Sequence, residues 1–151
     1  MLQDTLARTV QWFEKAVPEP TSKNIHAQLG VHLEEVNEMV MEVTALDFET
    51  GILVDTAKMA LHALSSHLKT HDGVIKILPE NRIKYLDAIC DQIVTASGCA
   101  HMSDLDVVGG LSEVNRSNFT KFGDDDEPHF DDNKKIIKSS YYQEPDLSPF
   151  V

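Results

Sequence analysis

The sequence predicts an all-α fold, an antiparallel helical bundle of about five helices followed by an irregular C-terminal tail. Three observations carry this expectation. Apolar residues recur every three or four positions in several separate stretches. Those stretches are divided by Pro18 and Pro20, by Thr50-Gly51, by Asp72-Gly73 and by Gly123. Residues that cap helices stand where the stretches begin.

The first helix spans about residues 2 to 17, with Leu2, Leu6, Val10, Phe13 and Val17 at helical spacing and the prolines ending it. Trp12 beside Phe13 suits a core or a subunit interface better than a base-stacking platform. Thr21-Ser22-Lys23-Asn24 supplies caps for a second helix from about Ile25 to Asp47, whose apolar positions are Ile25, Leu29, Leu33, Val36, Val40, Val43 and Leu46. Thr50-Gly51 is expected to break it, and a third helix to run from Asp55 to about Thr70. The fourth is expected over about Glu80 to His101, started by Pro79, with Leu86, Ile89, Cys90, Ile93, Ala96 and Ala100 as its buried stripe. The fifth opens on an Asp104 cap and reaches about Phe122 despite Gly109-Gly110.

At 151 residues the chain is long enough for one full-sized domain and no more. The expected organisation is a helical domain over 1–122, with a loop and tail over 123–151 packing on that same domain. A hydrophobic content of 42% and a charged content of 25% are those of a globular protein. The formal net charge of -12 repels nucleic-acid backbone and anionic lipid, which argues against a nucleic-acid polymer or a membrane as partner. A small phosphorylated substrate stays compatible, provided metal ions offset the local field. The N-terminus is amphipathic rather than signal-like, no apolar run approaches membrane-spanning length, and Cys90 and Cys99 fall on opposite sides of one helix. The expected compartment is the cytoplasm.

The chemistry concentrates in HLEEVNEMVME, residues 32–42. In a helix Glu34, Glu35 and Glu38 converge on nearly one face, where like charges repel unless a cation neutralises them. No Lys or Arg occurs between Lys23 and Lys58, so no neighbour in the chain supplies the counter-charge. The acidic stripe also borders the apolar stripe, whereas a merely solubilising face would sit opposite it. On the fourth helix Asp87 and Asp91 are four apart beside its apolar stripe. Two carboxylates from each helix make an all-oxygen donor set suited to Mg²⁺. Two other metal patterns are weaker. His67 and His71 are four apart without an evident third zinc ligand, and Asp124, Asp126 and Asp131 lack the spacing and glycine of an EF-hand.

These paired acidic helices resemble the all-α nucleoside triphosphate pyrophosphatase superfamily, which includes MazG-like proteins, phosphoribosyl-ATP pyrophosphohydrolases and dimeric dUTPases. The family pattern is Glu-Glu-x-x-Glu on one helix and Glu-x-x-Asp on the next. Glu34, Glu35 and Glu38 reproduce the first half, and Asp91 matches the last position of the second. The family Glu three residues earlier is Ala88 here, with Asp87 as the substitute. EVNRSNFTKFGDDDEP, followed by YYQEPDL, is similar to the ending of a bacterial and phage branch.

Few helices of this length can enclose both a core and a substrate cleft alone, so a homodimer or higher homo-oligomer is expected. The resemblance implies hydrolysis of a nucleoside triphosphate between its α and β phosphates, with Mg²⁺ (or Mn²⁺) as cofactor. It implies Glu35, Glu38, Asp87 and Asp91 as metal ligands and Glu34 as the residue that orients or deprotonates water. Arg116 and Lys121 would meet phosphates, and Asn115 and Asn118 would offer amides to substrate. A phosphoribosyl-ATP substrate belongs to the same class. A non-catalytic helical protein whose acidic stripe binds a basic partner is the reading from another class, and Ala88 is the residue that favours it.

Overall fold

The computed structural model describes residues 4–131 and 136–151, so Leu2, assigned to the first helix by its spacing, lies outside the described residues. Among the described residues five α-helices account for most of the length: α1 (Thr5–Ala16), α2 (Ser22–Met41), α3 (Phe48–Thr70), α4 (Arg82–Met102) and α5 (Val107–Phe119). Single 3-10 turns occur at Pro79–Asn81 and Ser148–Phe150. Among the described residues there is no strand, only an isolated antiparallel bridge between Phe130 and Ile136. The fold is all-α, as the periodicity predicts. No helix among the described residues is long and apolar enough to cross a membrane.

The chain divides into two compact units, Met1–Glu19 with Leu78–Val151, and Pro20–Ile77. The second is an antiparallel hairpin of α2 and α3. Thr21 and Asn24 form a capping box that starts α2: the Asn24 backbone N–H donates to Thr21 Oγ1 (3.4 Å), and the Thr21 backbone N–H donates to Asn24 Oδ1 (3.0 Å). Gly30 lets the two backbones close up. A Cβ there would stand 2.8 Å from Lys69 Cγ and 2.9 Å from the Ser65 carbonyl oxygen. Near the open end His26 is buried, its Nδ1 2.7 Å from the Ser22 carbonyl oxygen and its Nε2 accepting the Ile75 N–H at 3.1 Å. Those partners assign the proton to Nδ1.

The boundary between α2 and α3 differs from the sequence expectation. α2 stops at Met41 and α3 begins at Phe48, so Gly51 lies inside α3 rather than between helices. The cause is local capping. Asp47, expected to close one helix, opens the next by accepting the Thr50 N–H (2.8 Å) and Thr50 hydroxyl (2.7 Å). Its carboxyl is held below the usual value, chiefly by the Thr50 backbone N–H and then by the hydroxyl. One helical glycine costs about 1 kcal/mol, a penalty that a good cap can match. Leu46, left in the connection, is 95% exposed.

In the other unit α1 packs on α5. Asn115 Oδ1 accepts the Thr9 hydroxyl (3.0 Å) and Nδ2 donates to the Thr5 carbonyl (2.9 Å). Farther along, Trp12 Nε1 donates to the Asn118 carbonyl (2.9 Å), and its ring stacks on Phe122 at 6.0 Å between centroids. The contacts advance along both helices together, from Thr5 and Asn115 to Trp12 and Asn118, so the pair runs in the same direction, with α1 on the C-terminal half of α5. The tail returns along α5: the Ser117 hydroxyl donates to the Gln143 carbonyl (2.7 Å), and the Gln143 N–H donates to Thr120 Oγ1 (2.9 Å). α5 is capped by Asp106, not Asp104, which adopts a left-handed turn with φ of 58°. α4 departs most from expectation, since no residue of its apolar stripe is buried.

Candidate functional site

On α2, Glu35 and Glu38 are exposed and Glu34 is half-buried, so the acidic residues flank the face that α2 turns to α3. Their helix is fixed by its cap at Thr21 and by the Gly30 contact described above. Glu34 has a partner that inspection of the neighbouring sequence does not reveal. Lys69, from the last turn of α3, places Nζ 2.6 Å from Glu34 Oε1. The expectation that no side chain supplies counter-charge is therefore corrected for Glu34. The cation comes from 35 residues away in sequence, brought in because α2 and α3 are antiparallel and Gly30 admits the lysine stem.

Asp87 and Asp91 are both exposed on α4, one turn apart. Thr95, one turn beyond, spends its hydroxyl on the Asp91 backbone carbonyl (2.8 Å) and not on the carboxylate. Each helix thus offers a pair of carboxylates at helical neighbour spacing. Among the described residues no three His, Cys, Asp or Glu side chains stand close enough together to hold a metal ion. The His67 and His71 rings stack on each other at 4.1 Å between centroids, and Cys90 and Cys99 are free thiols on the surface.

Of the residues assigned to substrate, Asn115 is buried, and both ends of its amide are engaged by α1. Its position explains its chemistry as a strut between α1 and α5. Asn118 Oδ1 accepts from Lys121 Nζ (2.7 Å), and that ammonium lies 5.7 Å from the Trp12 ring centroid and 6.0 Å from that of Tyr142. Arg116 is clamped. It donates to both oxygens of Glu113 (2.7 and 2.6 Å), to Gln143 Oε1 (2.9 Å) and to the Glu144 carbonyl (3.2 Å). The guanidinium, followed by the Asp146 N–H, holds the Glu113 carboxyl down at about 2.

One comparison bears on this geometry. A crystal structure from Exiguobacterium sp. 255-15, described as a "putative NTP pyrophosphohydrolase", superposes with a TM-score of 0.63 at 19% identity, covering 95% of this chain and 89% of that one. The two chains share a fold. No protein-family model matches the sequence, and the search of curated proteins gives no match either. The likeness extends through both units, so it takes in α2 and α4, the helices that carry the acidic pairs.

Two residues escaped the sequence reading. Lys69 was hidden by its distance along the chain, although its place near the end of an antiparallel neighbour is the signal that would find it. In the sequence Arg8 shows only as a single charge on an amphipathic helix. Its guanidinium lies 3.7 Å from the Phe119 ring centroid, and it lines a hollow with Thr5, Ser112, Asn115 and Arg116.

Proposed function

We propose that this protein is a metal-dependent nucleotide pyrophosphohydrolase that cleaves a nucleoside triphosphate between its α and β phosphates. Water adds to one phosphorus, and the anhydride oxygen leaves with the other phosphoryl groups. The products are a nucleoside monophosphate, pyrophosphate and a proton. The observation that carries the reading is the exposed carboxylate pair of α2, Glu35 and Glu38, beside a Glu34 tethered by Lys69, on a fold shared with a protein described as a "putative NTP pyrophosphohydrolase".

Glu35 and Glu38 are the proposed ligands of Mg²⁺ or Mn²⁺, with Asp87 and Asp91 as the second donor pair. A bound divalent cation would offset charge on the phosphate oxygens. Lys69 engages Oε1 of Glu34, so Oε2 is the atom that faces the task of orienting water and taking its proton. Lys121 and Arg116 contribute positive charge toward phosphate, and Asn118 shares its amide with Lys121. Asn115 serves this site through its hold on α1.

The active form in this proposal contains two or more copies of the chain. α4 carries Ile83, Leu86, Val94 and Met102, each more than half exposed, and buries none of its residues. An apolar helix of that kind is expected to be covered by another protein surface.

Pyrophosphate release from a panel of ribo- and deoxynucleoside triphosphates tests the reading, with and without Mg²⁺ and with Glu38→Gln alongside. Release that needs the metal, and that falls about 100-fold in the variant, supports it. An inactive protein whose acidic face binds basic peptides, with graded and salt-sensitive weakening in Glu38→Gln, points instead to an interaction module.

A further inference from the structure

The chain has three arginines, Arg8, Arg82 and Arg116, against a net charge of -12. Two of the three line one hollow of about 230 Å³ between α1 and α5, together with Thr5, Ser112 and Asn115. We infer that this hollow is a phosphoryl-binding site, in which Arg8, Arg116 and Ser112 receive the terminal phosphate or pyrophosphate group of a small organic phosphate.

The two arginines are prepared differently. Arg116 has four of its five N–H groups committed, to Glu113, Gln143 and Glu144, which leaves one Nη1 hydrogen and a rigidly placed positive charge. Arg8 lies against Phe119, with its guanidinium carbon 3.7 Å from the ring centroid. The one side-chain hydrogen bond it makes among the described residues, Nη1 to Gln11 Oε1, is long at 3.4 Å. A guanidinium propped on an aromatic ring with its edge donors largely unspent is preorganised for an oxyanion, because little rotamer freedom remains to be lost.

Charge and size set the ligand class. Arg8 and Arg116 bring two positive charges, and Glu113, ionised well below neutrality, returns one negative charge on the far side of Arg116. Glu113 does not line this hollow. It lines the adjoining one, of about 410 Å³, with Gly109, Ser112, Arg116 and Phe150. An anionic group is therefore directed toward Arg8 and away from Glu113. A volume of about 230 Å³ is too small for a whole nucleotide and ample for one or two phosphoryl groups. The neighbouring hollow, with Phe150 in its wall, can take the organic remainder. The inference rests on the proposed pyrophosphohydrolase reading only for that remainder, and the anion site stands on its own geometry.

The test is calorimetric titration of the full chain with inorganic pyrophosphate in EDTA at near-physiological salt, so that no metal-dependent step contributes. Saturable binding in the parent is expected, weakened by about tenfold in Arg8→Met, which keeps the stem over Phe119, and partly restored in Arg8→Lys. Ser112→Asp, at an exposed position, should abolish binding by placing a carboxylate in the hollow. Absence of saturable binding in the parent overturns the inference. So does parental affinity in either Arg8→Met or Ser112→Asp, whichever retains the parent's melting temperature. Arg8-dependent binding in a protein that hydrolyses no triphosphate would uphold this site while the pyrophosphohydrolase reading fails.

Discussion

Lys69 Nζ sits 2.6 Å from Glu34 Oε1, tying the last turn of α3 to the acidic turn of α2. Both side chains keep substantial exposure, 31% and 43%, so solvent screens the pair and its share of stability is under about 1 kcal/mol. Its expected importance is positional. Lys69→Met, which keeps the stem packed over Gly30, should leave the melting temperature within about 2 °C. The proposed triphosphate hydrolysis should fall by about tenfold, in kcat more than in KM, because Glu34 loses its fixed orientation. Equal activity in parent and variant would show that the pair is only a surface ion pair.

Asn37 lies one turn beyond Glu34 and is 8% exposed, and its Oδ1 is buried without a hydrogen-bond partner among the described residues. A buried unpaired acceptor costs about 1–3 kcal/mol. Replacement by Leu, similar in volume and apolar, should therefore stabilise the protein by about 1 kcal/mol in urea unfolding. A drop in activity accompanying that gain would mark the amide as part of the site. A loss of stability would mean that the acceptor is satisfied in solution.

How much of this was legible in the sequence depends on the scale of the interaction. The five helices could be read because each carries its own period, and all but α4, which follows Pro79, open on a side-chain cap. The acidic turns of α2 and α4 could be read because they are defined within four residues. The α2–α3 connection was misplaced because Gly51 is a strong punctuator only where no cap competes, and Asp47 with Thr50 supplies one. The buried face of α2 was misassigned as well. His26, Gly30 and Asn37 are buried, whereas Ile25 is 45% exposed. Periodicity locates a stripe of apolar residues, but a close helix contact selects for small size, as at Gly30, and for polar groups with a specific partner, as at His26. Lys69 and Arg8 acquire meaning only from helices distant in the chain.

Gly30 gives that close contact a direct test. Gly→Ala in a helix ordinarily gains about 1 kcal/mol. Here the added methyl would meet the Ser65 carbonyl oxygen at 2.9 Å, a backbone atom that cannot swing aside, and the Lys69 stem at 2.8 Å. Overpacking of this kind costs about 1–3 kcal/mol and should outweigh the propensity gain. Gly30→Ala is expected to lower the urea midpoint and to displace Lys69 from Glu34. A raised midpoint would mean that the two helices are not so closely packed.

The exposed face of α4 makes the proposed assembly testable. Leu86→Glu changes a side chain that is 63% exposed, so it should not disturb the fold of a single chain. At an interface a buried, unpaired carboxylate is costly, and the variant should weaken association by about 2 kcal/mol or more. Sedimentation at micromolar concentrations should show the parent as an oligomer and the variant shifted toward monomer. A parent that sediments as a monomer would remove the need for a second copy.

Acid should release the tail through Glu113. That carboxyl is lowered from 4.5 to about 2, first by its hydrogen bonds from Arg116 and then by the Asp146 N–H. Asp146 is lowered too, chiefly by the Ser148 hydroxyl and then by the Ser148 N–H. A carboxyl whose folded value is depressed binds a proton more readily when unfolded, so its stabilisation is full above about 4.5 and is lost as the pH falls toward about 2. Gln143, Glu144 and Asp146 are all tied to this Arg116–Glu113 pair. The tail should therefore stay docked on α5 near neutrality and loosen in that acid window, seen as a shift of the Asp146 amide resonance. Glu113→Gln should loosen the tail at all pH values and remove the dependence. A parent whose tail resonances do not change between pH 5 and about 2 would show that the tail is held by other contacts, such as Ser117 to Gln143.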